Sequence, residues 1–214
     1  MAERSRPDLV LASGSPRRRT LLGALGVAFD VRPVDLDESP QRGETPDELV
    51  RRLAVAKAEA GLAAATESNV VVLAADTVVG LDGDVLGKPV DVADASRMLR
   101  HLSGRTHVVV TGVAVAYRSS APDVADDADT ALAASTGLAV EVGATEVTFR
   151  ELSDAEIVRY IATGEPLDKA GAYAIQGAGG AFVSALRGSH DNVVGLDLDT
   201  TRRLLAEAGL ELST

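Results

Sequence analysis

Residues 69–89 read NVVVLAADTVVGLDGDVLGKP. The run is apolar and rich in β-branched residues, the pattern of a strand covered on both faces. Asp82-Gly83 follows it, a strong signal for a tight hairpin turn. The chain is therefore expected to fold back antiparallel at that point. Two more long strands are read downstream, THVVVTGVAVAY at 106–117 and LAVEVGATEVTF at 138–149. The stretch between them, RSSAPDVADDADTALAAST at 118–136, is acidic and made of small residues, and is expected to be a flexible surface loop.

Helical patterns surround these strands. In LVLASGSPRRRTLLGALG, residues 9–26, a buried strand runs into a helix with Ser15 as N-cap, Pro16 at the first position and Gly26 as the stop. Residues 28–39, AFDVRPVDLDES, read as extended and end in an acidic cluster. Residues 45–65 carry a Thr45/Glu48 capping box, with Leu49, Leu53, Ala56 and Ala60 on one face. Capped helices are also read at 91–104 and at 153–164, the latter with a Ser153/Glu156 capping box. Residues 168–196 read as glycine turns alternating with short strands, and a last helix closes the chain at 199–209. Helices and strands alternate, yet the long hairpins demand antiparallel pairs. This predicts an α/β fold with a mixed, partly antiparallel sheet and flanking helices, a single domain over 1–214.

Composition narrows the chemistry. The net charge of −11 argues against a nucleic-acid polymer held on a broad basic face. No apolar run reaches the length of a membrane span, and a cytoplasmic protein with no membrane partner is expected. Cysteine is absent, which removes disulfides and thiolate chemistry. The chain holds 21 basic residues, of which only Lys57, Lys88 and Lys169 are lysines. A lysine kept where arginine is the habit suggests that a compact point charge is wanted, or the three are simply left over. His101, His107 and His190 are scattered, with no metal-binding spacing. There is no Walker P-loop, no G-x-G-x-x-G after a strand and no G-x-S-x-G elbow.

Two features point to an anion site. Arg17, Arg18 and Arg19 crowd the N-terminal end of a helix, where the dipole disfavours cations. A bound polyanion would compensate them, with Ser13-Gly14-Ser15 letting a phosphate approach the backbone. The alternative is three solvated surface arginines. Asp76 sits where the run VVVLAA ends, the usual place for a functional group in an α/β sheet. A buried carboxylate there needs a cation or metal, and Glu38 could share a magnesium ion with it.

The segments LASGSPRR, DES, RLAVAKA, AADTVV, GKP, TGV, VTFREL, YIATGEPLDKAGAYAIQG and NVVGL occur in this order along the chain. Together they resemble the Maf family of nucleoside triphosphate pyrophosphatases, also called septum formation inhibitors. The resemblance implies hydrolysis of a nucleoside triphosphate to monophosphate and pyrophosphate, with Mg²⁺ or Mn²⁺. It also implies two lobes around a deep cleft, as in inosine-triphosphatase-like folds, and a homodimer. The implied cellular role is house-cleaning of the nucleotide pool, with a link to cell-division arrest. Asp76 falls on the family's proton-acceptor position. Ser13, Arg17, Arg18, Glu38, Lys57, Lys88 and Lys169 fall on its phosphate- and metal-handling positions, Glu38 and Asp76 as the metal pair. Arg17, Thr77 and Gln176 are similar to the set of the branch acting on dTTP and UTP. Three departures stand out: Asp197 replaces a usual proline, Ser189-His190-Asp191 replaces a Ser-Tyr segment, and 118–136 is longer than usual. Readings of other classes are a non-catalytic nucleotide-binding regulator of septum formation and a phosphatase releasing orthophosphate.

Overall fold

The apolar run forms β3 (Val70–Leu81), buried along nearly its whole length. The computed structural model describes residues 8–119, 135–210 and 212, and β3 is the spine of its seven-stranded sheet. Along one edge of β3 lies the long antiparallel array of β5 (Thr106–Ser119), β6 (Ser135–Phe149) and β7 (Val183–Arg187). On the other edge two short strands divide the work. β1 (Asp8–Leu11) runs parallel to the first half of β3, from Asp8 opposite Val70 to Leu11 opposite Leu73, with β2 (Asp30–Val31) parallel outside it. β4 (Asp84–Leu86) returns antiparallel on the second half, with Leu86 opposite Val79. Asp82 (φ 53°) and Gly83 (φ 89°) make that turn, both at the positive φ a two-residue hairpin loop needs.

Between Leu73 and Val79, this edge of β3 has no strand beside it among the described residues. The gap divides the molecule into two lobes that share β3, β5 and β6. Side chains alternate across a strand, so even-numbered residues of β3 face one layer and odd-numbered ones the other. The even face packs under α2 (Pro46–Ala64): Val70, Val72, Ala74 and Val78 meet Val50, Leu53, Ala54 and Ala58. The odd face is covered twice. In the first lobe, Leu21 and Leu22 of α1 (Pro16–Gly23) and Leu204 and Leu205 of α6 (Leu198–Glu207) cover Val71 and Leu73. In the second, Met98, Leu99 and Leu102 of α3 (Val92–Leu102) and Ile157 and Tyr160 of α4 (Asp154–Ile161) cover Val79 and Leu81.

The helix on the even face approaches very closely. A Cβ on Gly112 of β5 would lie 2.6 Å from the Val50 carbonyl oxygen, and one on Gly61 of α2 would lie 2.7 Å from Val72 Cγ1. Gly112 is the residue opposite Asp76. α2 can therefore rest almost backbone to backbone on the sheet where Asp76 points up at it.

The capping signals behave as expected. Ser15, Thr45, Asp91 and Ser153 each accept an amide hydrogen bond at the head of a helix, and so does Asp197, where the sequence reading placed no cap. Asp197, the residue in place of a usual proline, is thus the N-cap of α6. Other expectations need correction. α1 ends at Gly23, before Gly26, which follows in the left-handed region at φ 68°. Only Asp30–Val31 of the 28–39 stretch pairs as a strand. The buried face of α2 runs through Val50, Ala54, Lys57, Ala58 and Gly61 besides Leu49 and Leu53, whereas Ala56 and Ala60 lie at its margin. Residues 168–196 hold one strand, β7, while the rest is 3-10 turns and the short α5 (His190–Val194). Of the expected loop 118–136, the first two and last two residues extend β5 and β6, and 120–134 lie outside the described residues.

One histidine is committed to the core. His107 is 1% exposed, its Nε2 lies 2.9 Å from Tyr173 Oη, and its Nδ1 has no partner among the described residues. Burial pushes its pKa down to about 4. Between about pH 6.5 and that value the unfolded chain holds a proton the folded chain does not, so stability falls as pH drops through this window. The histidine's share is about 3 kcal/mol. His107→Phe is expected to flatten that part of the dependence, read as a smaller gap between urea midpoints at pH 7 and 4.5. An unchanged gap contradicts it.

Candidate active site

The cleft opens at the gap beside β3, as a cavity of about 580 Å³. Because β3 is uncovered there, residues of both its faces reach the same space. Asp76, from the even face, and Thr77, from the odd face, both line it. Asp76 is mid-strand rather than at a strand end, since β3 continues to Leu81. What marks its place is the interruption of the neighbouring strands.

On the even side a buried ion pair dominates. Lys57 of α2 and Asp76 are 6% and 7% exposed, and Lys57 Nζ donates to Asp76 Oδ1 at 2.7 Å. The same ammonium lies 2.5 Å from Glu38 Oε1, and Lys88 Nζ lies 3.9 Å from Glu38 Oε2. Partial burial raises the Glu38 carboxyl, but the hydrogen bond and charge of Lys57, with Lys88 and Arg18, bring it below its ordinary value. Glu38 is half exposed, at the open end of the chain of charges.

On the odd side, Arg18 is tied to neutral acceptors. Its Nε donates to the Gly195 carbonyl at 2.8 Å, its Nη2 to Thr77 Oγ1 at 3.1 Å and its Nη1 to Ser13 Oγ at 3.3 Å. Burial pushes its pKa down, opposed by the charge of Asp76 and reinforced by that of Arg17. It stays a cation, since guanidinium is not deprotonated in proteins. Thr111 Oγ1 donates to the Asn192 carbonyl at 2.8 Å, so in its 3.0 Å contact with Thr77 Oγ1 the proton belongs to Thr77. Thr77 thus has its proton engaged and its oxygen on Arg18.

A third group closes the rim. Lys169 sits between the 3-10 turns Glu165–Asp168 and Ala170–Ala172, and is hydrogen-bonded to Asp168. Arg17 Nη1 lies 3.7 Å from the same carboxylate. Gln176 is exposed at the edge of the cavity.

All ten residues that the resemblance assigns to the site, Ser13, Arg17, Arg18, Glu38, Lys57, Asp76, Thr77, Lys88, Lys169 and Gln176, line this one cavity. Arg19, the third of the arginine run, does not; it is exposed elsewhere. Sequence reasoning missed Asp168, which stands between two cations, and the Gly195 carbonyl that anchors Arg18. Asp168 was visible only as the neighbour of Lys169. Gly195 carried no chemical signal, because its contribution is backbone.

The lining carries five cations and three carboxylates (Glu38, Asp76 and Asp168), a local excess of positive charge in a chain of net charge −11. No group of three or more His, Asp or Glu side chains among the described residues could hold a metal by itself. Glu38 and Asp76 both meet the Lys57 ammonium, at 2.5 and 2.7 Å, so their carboxylates face one point in the cleft; two carboxylates completed by phosphate oxygens and water are the donor set Mg²⁺ takes. Among the described residues no helix is long and apolar enough to cross a membrane.

Residues 8–208 match the profile of the family described as Maf-like protein. A dTTP/UTP pyrophosphatase of Anaeromyxobacter dehalogenans (strain 2CP-C) is 56% identical over 206 residues, 96% of each chain. A dTTP/UTP pyrophosphatase of Shewanella oneidensis is 47% identical over 209 residues, 95% of this chain and 99% of the other. Among solved structures, a HAM1 protein from Coxiella burnetii aligns over 94% of this chain and 99% of its own at 17% identity, with a TM-score of 0.41, too loose a likeness to bear on either fold or activity.

Removing one member of the buried pair should be costly. Lys57→Met is expected to lower stability by about 3 kcal/mol or more, because it strands a buried carboxylate. Adding Asp76→Asn should recover part of that loss. A Lys57→Met protein as stable as the parent in urea contradicts the pairing.

Proposed function

The chain belongs to the Maf-like protein family, and on that premise we propose that it hydrolyses a nucleoside triphosphate, dTTP and UTP above others, to the monophosphate and pyrophosphate. The observation that carries the reading is the meeting of a cation-rich lining and a buried carboxylate, Asp76, in one cleft.

Phosphoanhydride hydrolysis needs in-line attack and neutralisation of charge far more than covalent chemistry. In this reading Asp76 orients a water molecule toward the α-phosphorus and takes its proton. The bond from the α-phosphorus to the bridging oxygen breaks, and pyrophosphate leaves with the electron pair. Lys57 balances the charge of Asp76. Arg18, fixed in place by Gly195, Thr77 and Ser13, presents a preset guanidinium to the phosphates. Arg17 and Lys169, now sharing Asp168, and Lys88 at the mouth supply the remaining positive charge. Mg²⁺ or Mn²⁺, held by Glu38 and Asp76, would neutralise phosphate charge when bound. Gln176 reads the base: its amide offers a donor and an acceptor, which suit the O4 and N3–H edge of uracil or thymine. Thr77 serves this selection through Arg18, since its hydroxyl is already engaged. The reading extends to a single catalytic domain acting as a cytoplasmic homodimer that clears nucleotides, modified pyrimidines among them, from the pool.

The test is product analysis on the purified protein. With Mg²⁺, dTTP and UTP should yield pyrophosphate and be preferred over dATP, dGTP and 7-methyl-GTP. Asp76→Asn should lower kcat by about 10²-fold or more with the fold intact, as for loss of a general base. Orthophosphate as the product indicates a phosphatase, and nucleotide binding without turnover indicates a regulator; either result overturns the reading.

A further inference from the structure

The turn that carries Gln176 is gripped on both sides by two side chains that do not line the cavity. Tyr160 belongs to α4, and Glu165 opens the 3-10 turn that follows. Glu165 Oε1 accepts from Tyr160 Oη at 2.7 Å and from the Gly179 amide at 3.2 Å. Its Oε2 accepts from the Ala178 amide at 3.1 Å. Tyr160 Oη in turn accepts from the Ala174 amide at 3.0 Å. The chain is therefore pinned at Ala174, before Gln176, and at Ala178 and Gly179, after it.

The local sequence is shaped to this grip. A Cβ on Gly177 would lie 2.3 Å from Glu165 Oε2, and one on Gly179 would lie 2.7 Å from Tyr160 Oη. Glycine at both positions lets the two side chains reach the backbone. Gln176 itself is exposed, with no hydrogen bond from its amide among the described residues. Its position is set by the backbone that bears it. A group that reads a ligand by directed hydrogen bonds must be held to within a fraction of an ångström, and such precision comes from the supporting shell.

We propose that Glu165 and Tyr160 are positioning residues that fix the Gln176 turn and thereby set the base preference of the cleft. The proposal rests on the reading of the cleft as a nucleotide pyrophosphatase site. The clamp needs Glu165 as a carboxylate, able to accept three hydrogen bonds. Burial raises its pKa, but the Tyr160 hydroxyl, the two amides and the charge of Lys169 bring it below the ordinary value, so it remains ionised at neutral pH. Glu165→Gln places an amino group where one of those oxygens accepts, and a donor then faces a donor.

The experiment is a double-mutant cycle read as the ratio of kcat/KM for dTTP to that for dGTP. In Glu165→Gln this ratio should fall by about 10-fold, the scale of one mispositioned polar contact. In a Gln176→Ala background the same substitution should change it by less than about 2-fold, because the residue through which it acts is gone. Tyr160→Phe should give the same pattern, and serves if Glu165→Gln does not fold. Hydrogen exchange at the amides of Ala174, Ala178 and Gly179 in the ligand-free variants should speed up. Wild-type turnover is read first: no pyrophosphate there overturns the reading of the cleft. A working wild type with an unchanged ratio in the variants, or an equal fall with and without Gln176, overturns the clamp alone.

Discussion

The buried contact between Lys57 and Asp76 dictates how closely α2 must lie on the sheet. Two charges leave water there, and the cost of desolvating them is of the same order as their mutual attraction. A pair of apolar residues would serve stability at least as well, so the pair has to be understood from its position in the cleft. To form it, α2 must lie close enough for a lysine stem to run along the sheet and end at a strand residue. Gly112 and Gly61 remove the side chains that would hold the helix away. The run of small residues on α2 and β3, Ala54, Ala58 and Ala74 with Val72, serves the same approach.

The second constraint is the interruption of the sheet. Had β1 continued alongside β3, Asp76 and Thr77 would have pointed into separate layers and no single ligand could have met both. With the edge open between Leu73 and Val79, one face contributes the Lys57, Asp76 and Glu38 charges and the other contributes Arg18 on its neutral anchors. The acidic surface and the basic cleft are then compatible: a local excess of cations attracts a polyphosphate, and the acidity elsewhere works against nonspecific binding to longer polyanions.

Much of this was legible in the residues. Capping boxes, the Asp82-Gly83 turn and the apolar β3 run act through neighbouring residues, so a linear pattern contains their cause. What could not be read depends on contacts distant in the chain. The inner face of α2 does not follow from the apolar pattern, because Lys57 counts as polar there, yet its stem and charge are both buried. Residues 168–196 resemble strands in composition, but Glu165 and Tyr160 draw their amides into turns instead. The site residues were legible as chemical types in recurring segments. Their grouping around a gap was not, since a strand's early end is a fact about its neighbour.

In the proposed mechanism Asp76, charge-balanced by Lys57, directs water to the α-phosphorus. Turnover of dTTP in ¹⁸O-enriched water tests it most directly. The label is expected in the nucleoside monophosphate and not in the pyrophosphate, with labelling slowed in Asp76→Asn along with turnover. Label in the pyrophosphate would mean attack at the β-phosphorus, and would contradict the geometry assigned to the cleft.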